Sequence, residues 1–225
     1  ASDVTHSGIG SATSAALTIQ PATASQLVFA AQPSASATAG VPFAQQPAIR
    51  IEDQYGNLRS NDTLVVTATR NAGAGTLLGT TNVTAAGGIA SFSDLAHRYA
   101  TSITIQFSSG SLTPATSGII AVGPGPFSQL QVLLPGETTT PGVAPGKTGT
   151  PDVQTAGTGY TVTVNAVDAD YNLIDTNDTV QITSSDPQAE LPTDGALSGG
   201  TMTLSITNRT AGSWTVTASD VTQAG

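Results

Sequence analysis

The residues best able to do chemistry stand at Asp168-Ala-Asp170-Tyr-Asn172. Carboxylate, carboxylate and carboxamide at alternate positions is a spacing with which side-chain oxygens converge on a hard cation such as calcium. Asp178 follows closely and completes a candidate set of Asp168, Asp170, Asn172 and Asp178, with Asp186 and Asp220 as further acids that folding could bring near. A full EF-hand loop requires Gly at 173 and Glu at 179, where this chain has Leu173 and Thr179. The matching place in the first half reads Asp53-Gln-Tyr-Gly-Asn57. There a strand-connecting turn suffices, with Asp and Asn bonding their own backbone. Calcium site and turn are both open from these residues, and calcium is the one cofactor the sequence suggests.

No other constellation starts a reaction. His6 and His97 lie far apart, with no nucleophile or ligand patterned around either, and both read as solvent-exposed loop residues. No G-x-S-x-G elbow occurs. The absence of Cys excludes disulfides and thiolate metal sites. Lys147, the sole lysine, falls in a Pro- and Gly-rich stretch read as an exposed loop, which argues against a Lys–Asn or Lys–Asp isopeptide crosslink. Trp214 opens an alternating run and reads as a core filler. Four sequons, at Asn61, Asn82, Asn177 and Asn208, are acceptors only where the source glycosylates them. The reading is a non-enzyme.

The elements that position these residues are strands. Val, Ile and Leu recur with period two, as in Ile103, Ile105 and Phe107, or Tyr160, Val162, Val164 and Ala166. Alternation of this kind buries one face and wets the other. No convincing helical stripe occurs. Charged residues make up only 9%, yet 38% of the chain is hydrophobic and the apolar residues are patterned, so a folded chain is expected rather than a disordered one. The net charge is −9 and the cations are not clustered, which excludes a phosphate-binding surface and hence nucleic acid. Most of the acidity lies beyond residue 136, where ten acids face Lys147 and Arg209. No apolar run is long enough to span a membrane. No signal peptide is visible, as expected of an internal slice.

Repeats set the organisation. Ala1–Gly8 (ASDVTHSG) returns as Ala218–Gly225 (ASDVTQAG), an offset of 217 residues. Fixed-period self-similarity marks tandem arrays. A second repeat is nested inside it: Ser25-Gln26-Leu27 returns as Ser128-Gln129-Leu130, each after a Pro-containing connector. The chain therefore divides into the end of a preceding repeat (1–20), a linker (21–24), a first unit (25–122), a linker (123–127) and a second unit (128–225). About 100 residues of short strands per unit describe an all-β sandwich. The first unit ends in a strand, Ala115–Val122. The second stops before any equivalent, while Ser11–Gln20, of the same character, lies spare at the other end. Ala16, Leu17 and Ile19 make that segment a suitable inter-repeat strand.

VPFAQQPAIRIEDQYGN, GTLLGT, GGIASFSDL, ITSSDPQAELP and AGSWTVTASD resemble the bacterial immunoglobulin-like repeats of large secreted surface proteins, similar in architecture to invasin/intimin-type modules. The resemblance implies two tandem immunoglobulin-like sandwiches, a secreted or cell-surface location, and a stalk, adhesin, fibre or surface-layer role without catalytic residues. The implied partners are neighbouring copies of the same repeat, covalently continuous or strand-exchanged. The alternative reading is a carbohydrate- or ligand-binding accessory module of a secreted enzyme, which would need a planar aromatic strip.

Overall fold

The computed structural model describes residues 5–6 and 9–222. Of the Ala-Ser-Asp-Val-Thr duplication, residues 1–4 of the first copy lie outside the described residues. Among the described residues no helix forms; they are strands, turns and irregular chain.

The first unit holds β1 (Ala24–Ala31), β2 (Ser36–Thr38), β3 (Ala48–Asp53), β4 (Val65–Ala72), β5 (Leu77–Leu78), β6 (Asn82–Thr84), β7 (Ile89–Ser91), β8 (Ala96–His97), β9 (Ser102–Ser108), β10 (Ala115–Thr116) and β11 (Ile120–Gly123). One sheet is ordered β1-β3-β7, the other β2-β11-β9-β4-β6. The chain crosses between sheets from β1 to β2, and β2 pairs in parallel with the last strand, β11, which is antiparallel to β9. Two packed sheets of this order are an immunoglobulin-like sandwich. Period-two alternation turns Ile49 and Ile51 inward from one sheet and Ile103, Ile105 and Phe107 from the other. Phe107 sits edge-on to Phe29 and Phe92, with ring centroids 5.4 and 5.2 Å away.

The second unit repeats the plan with β12 (Gln129–Leu133), β13 (Glu137–Thr139), β14 (Lys147–Gly149), β15 (Tyr160–Val167), β16 (Thr179–Ser184), β17 (Gly195–Ala196), β18 (Thr201–Ile206) and β19 (Val216–Asp220). Its sheets are β12-β15-β18 and β17-β16-β19, with a β13-β14 hairpin beside them. Val162, Val164, Val180, Ile182 and Ile206 form the core. β19 is the counterpart of β9, but among the described residues no counterpart of β11 lies along its outer edge. Accordingly Val216 and Ala218 are only half-buried, where Ile105 and Phe107 are wholly buried.

Ser11–Gln20, expected to belong to a preceding repeat, enters no sheet of this chain, and Leu17 and Ile19 are 82% and 78% exposed. The expectations for Trp214, Lys147 and His97 are corrected. Trp214 precedes β19 and is half-buried; its indole N–H donates to the Thr210 carbonyl at 2.7 Å. Lys147 is not in an open loop. It begins β14, and its ammonium meets the buried Glu137 carboxylate at 2.9 Å and the Val132 carbonyl at 3.1 Å. His97 is fully buried on β8, which pairs with β5, and its Nε2 lies 2.8 Å from the Ala74 carbonyl. That geometry fixes the neutral tautomer with Nε2–H as donor.

Burial lowers the His97 pKa below its ordinary 6.5, opposed by hydrogen bonds to Ala74 and Thr76 and assisted by Arg70. A depressed folded value means that the unfolded chain binds the proton more readily. The first unit therefore has its full His97 contribution above pH about 6.5 and loses it as pH falls through the folded value. Thermal melts from pH 8 to pH 5 check this: the first unit destabilises on acidification in the native chain, and the slope flattens in His97→Gln.

Candidate functional site

β15 ends at Val167, and the chain turns through the motif singled out above. Asp168 is the hub. Its Oδ1 accepts the backbone N–H of Asp170 and of Asn172, each at 2.9 Å. Its Oδ2 accepts Asn172 Nδ2 at 2.9 Å and, from the linker, the Gly125 N–H at 2.7 Å. Tyr171 takes the left-handed conformation (φ 63°) that closes the turn, a strain that a non-glycine residue tolerates only when its surroundings hold it. They do so here: the Tyr171 ring covers Gly146 so closely that a Cβ there would lie 2.1 Å from the ring.

The other side of Asn172 faces the first unit. Its Nδ2 donates to the Arg98 carbonyl and its Oδ1 accepts the Ala100 N–H, both at 2.8 Å. Asn172 is 1% exposed as a result. Asp170 points at Arg98, with Nε 3.6 Å from Oδ1. A Cβ on Gly40 would stand 2.6 Å from the Asp170 carboxylate, so the first unit needs glycine at that approach. One five-residue turn thus ties together the linker, the preceding unit and the hairpin strand that passes it.

The first unit carries the same device at its own entrance. Asp53 Oδ1 accepts the N–H groups of Tyr55 and Asn57 at 2.9 Å, and Oδ2 accepts Asn57 Nδ2 at 3.0 Å and the linker N–H of Ala22 at 2.8 Å. Gly56, φ 83°, stands where the second unit has Tyr171. Arg59 Nη1 adds a bond to the Pro21 carbonyl at 3.2 Å. Burial alone would raise the Asp53 pKa, but the bonds from Asn57, Ala22 and Tyr55 outweigh it and hold the carboxyl at about 2. A depressed carboxyl stabilises the fold fully above its unfolded value near 3.8 and stops doing so as pH falls through about 2. The Ala22 amide is therefore expected to stay protected from hydrogen exchange at pH 5 and to lose protection between pH 4 and pH 2, while amides in the centre of β3 lag behind.

The candidate cation residues separate in space by what they bond. Asp168 and Asn172 have their oxygens directed at N–H donors, Asp170 faces a guanidinium, and Asp178 accepts the Thr176 hydroxyl at 2.7 Å. Among the described residues no three His, Asp or Glu side chains are grouped as metal ligands. Asp186 serves a third turn: burial raises its pKa, but the N–H groups of Gln188, Thr210 and Arg209 lower it further, so the net shift is downward. Of the sequon residues, Asn61 and Asn177 are exposed in loops. Asn82 lies on β6, bonded to the Thr67 hydroxyl, and Asn208 is half-buried.

A cavity of about 430 Å³ opens at the far end of the second unit, between residues 151–156 and 210–214, with Leu134, Tyr160 and Trp214 on its walls. It lies beside the approach to β19, next to the edge that carries no β11 counterpart. Sequence reasoning missed Arg98, Ala100 and Gly125. The signal was present: His97-Arg-Tyr-Ala-Thr-Ser102 returns as Asn208-Arg-Thr-Ala-Gly-Ser213, and both linkers stand at the same distance from their Ser-Gln-Leu.

No protein-family model matches this sequence, and no curated protein sequence matches it. Among solved structures it is similar to the D0-D1 domain of intimin, at 12% identity over 89% of this chain and 93% of that one, with a TM-score of 0.33. It is also similar to domains 5-6 of the S-layer protein SbsC, at 20% identity over 88% and 91%, TM-score 0.35. A Parabacteroides merdae β-glucuronidase aligns at 10% identity over 91% of this chain and 24% of its own, TM-score 0.29.

Proposed function

We propose that this chain is a non-catalytic structural repeat of an extracellular rod or fibre on a cell surface, in which consecutive repeats complete one another by a shared strand. One observation carries the reading. Among the described residues the second unit has no counterpart of the strand that β11 supplies to the first, and the chain holds a spare segment with the right pattern. Aligned by its linker, Leu17 and Ile19 fall where Ile120 and Val122 stand. Ile120 and Val122 are buried at 1% and 6%; Leu17 and Ile19 are exposed. An added strand supplies main-chain bonds to an open edge and alternate side chains to an open core. Ser11–Gln20 would run along β19 of a preceding repeat and lead straight into linker 21–24, as β11 leads into linker 123–127. Calcium binding at the Asp168 turn stays a separate proposal, tested below.

Stalk function requires limited bending between units. Asp168 bonds the short Pro-containing linker, and Asn172 and Asp170 bond Arg98 of the first unit, which favours a fixed angle over free rotation. Small-angle scattering of the chain is expected to give an extended end-to-end pair, and Asn172→Ala is expected to broaden the distance distribution without unfolding either unit. A compact side-by-side pair would count against the rod. A ligand-binding accessory module is the second reading, favoured by Trp214 and Tyr160 on the cavity wall. It predicts that soluble oligosaccharides perturb Trp214 fluorescence, whereas the strand reading predicts that only the 11–20 segment does.

A further inference from the structure

Asn172 and Asn57 occupy the same place in the same turn, yet one is buried and the other exposed. The difference is a neighbour. Asn172 has the first unit's Arg98 carbonyl and Ala100 N–H to close on; Asn57 bonds its own Asp53 through Nδ2, and its Oδ1 has no partner among the described residues. The missing neighbour can be read off the chain. Arg209-Thr210-Ala211 is the second unit's copy of Arg98-Tyr99-Ala100, and it lies exposed at the far end of that unit. The Arg209 and Thr210 N–H groups are anchored on Asp186, which leaves the Arg209 carbonyl and the Ala211 N–H without partners among the described residues.

We propose that the Asp53–Asn57 turn of one copy docks on Arg209–Ala211 of a second copy, the Asn57 carboxamide donating to the Arg209 carbonyl and accepting from the Ala211 N–H as Asn172 does within the chain. The proposal rests on the rod reading and names its articulation: every junction along the rod, within and between copies, uses one two-point amide contact. The side-chain partner changes. Asp170, which faces Arg98, is replaced by Tyr55, an exposed aromatic. Arg209 keeps its own unit's Glu190 carboxylate, 2.5 Å from Nη2, and offers the Tyr55 ring the face of its guanidinium, a contact of the cation–π type. The outer junction therefore lacks the unit-to-unit ion pair of the inner one, Arg98 with Asp170, and depends less on salt.

The chain has no cysteine, so engineered pairs report on the contact without background. Tyr55→Cys/Arg209→Cys places thiols where the inner junction has Asp170 and Arg98, and leaves the backbone groups of Arg209 and Ala211 intact. With a thiol-specific bis-maleimide, which reaches beyond the roughly 7 Å Cα separation that limits a disulfide, at millimolar protein, the effective concentration a short linker imposes, the expected product is a ladder of dimers and longer species. Arg98→Cys/Asp170→Cys should close within one chain, which checks the chemistry. Adding Asn57→Ala to the Tyr55/Arg209 pair should slow the ladder roughly tenfold, the equivalent of two neutral hydrogen bonds. A pair aimed at the wrong end, Tyr55→Cys/Ser198→Cys, should crosslink no faster than that. A Tyr55/Arg209 ladder that forms no faster than the Ser198 pair, or that ignores Asn57→Ala, overturns the proposal. Sedimentation separates it from the rod reading. Association that depends on Leu17 without the crosslink sinks the docking contact alone; Asn57-dependent crosslinking that persists in Leu17→Asp sinks strand sharing alone; neither association nor crosslinking sinks both.

Discussion

A peptide of residues 9–20 is expected to bind the chain whose own segment has been silenced by Leu17→Asp/Ile19→Asp, and to raise the melting temperature of the second unit alone. The physical ground is a comparison inside one molecule. In the first unit, Ile120 pairs with Ile103 and Ala121 with Ser102 on β9, while Ala121 also pairs with Ser36 on β2. In the second, the counterparts of Ile103 and Ser102 are Trp214 and Ser213, which border the open cavity and belong to no strand. Insertion of the peptide should extend β19 back through them and cover Val216 and Ala218.

Fully burying Leu or Ile contributes about 1.5–3 kcal/mol each. A peptide carrying Leu17→Asp/Ile19→Asp should therefore bind roughly 10²–10⁴-fold more weakly, since each 1.4 kcal/mol is a factor of ten. Titration calorimetry reads the affinity and Trp214 fluorescence reads the site. Equal binding of native and substituted peptides, or a rise in the first unit's melting temperature, would remove strand sharing from consideration. The first unit is the internal control, because its own β11 already fills the position.

Much of this was legible in the sequence because side-chain period and repetition are local signals. Alternation at Ile103, Ile105 and Phe107 marks β9 whatever its partners are, and the Ser-Gln-Leu repeat fixes where each unit restarts. The failures have a common cause. Histidine at 97 sits in a short run, Leu95-Ala96-His97, with no alternation to show that its ring turns inward, and the Ala74 carbonyl that its Nε2 meets lies 23 residues away in sequence. Trp214 reads as a core residue by pattern, but pattern assumes a neighbouring strand that this chain does not place there. The Asp168 motif is the most instructive case. Its spacing serves an oxygen cage or a hydrogen-bonded turn equally well. What separates the two is where Gly125, Arg98 and Ala100 lie, and none of them is adjacent in sequence.

That distinction gives the second large effect. Asp168→Ala should destabilise the second unit by about 3–5 kcal/mol, because the buried carboxylate serves four N–H groups and each buried donor left without an acceptor costs about 1–3 kcal/mol, with water recovering some of them. Asp170→Ala removes only a partly exposed ion pair to Arg98, a contribution of about 0–1 kcal/mol. A calcium site ranks the two differently. Both carboxylates would be ligands, both variants would abolish calcium-dependent stabilisation, and chelator would lower the native melting temperature by mass action. The turn predicts a large gap between Asp168→Ala and Asp170→Ala, and melting curves that superimpose with calcium and with chelator. Asp168→Asn sharpens the comparison. It keeps one carbonyl oxygen for the Asp170 and Asn172 N–H groups but turns an amide N–H toward the Gly125 N–H or Asn172 Nδ2, so it should fall between native and Asp168→Ala and loosen the linker first. Amide exchange at Gly125 reads that step directly: protection lost there in Asp168→Asn, with the centre of β15 still protected, places the carboxylate as the clasp between unit and linker.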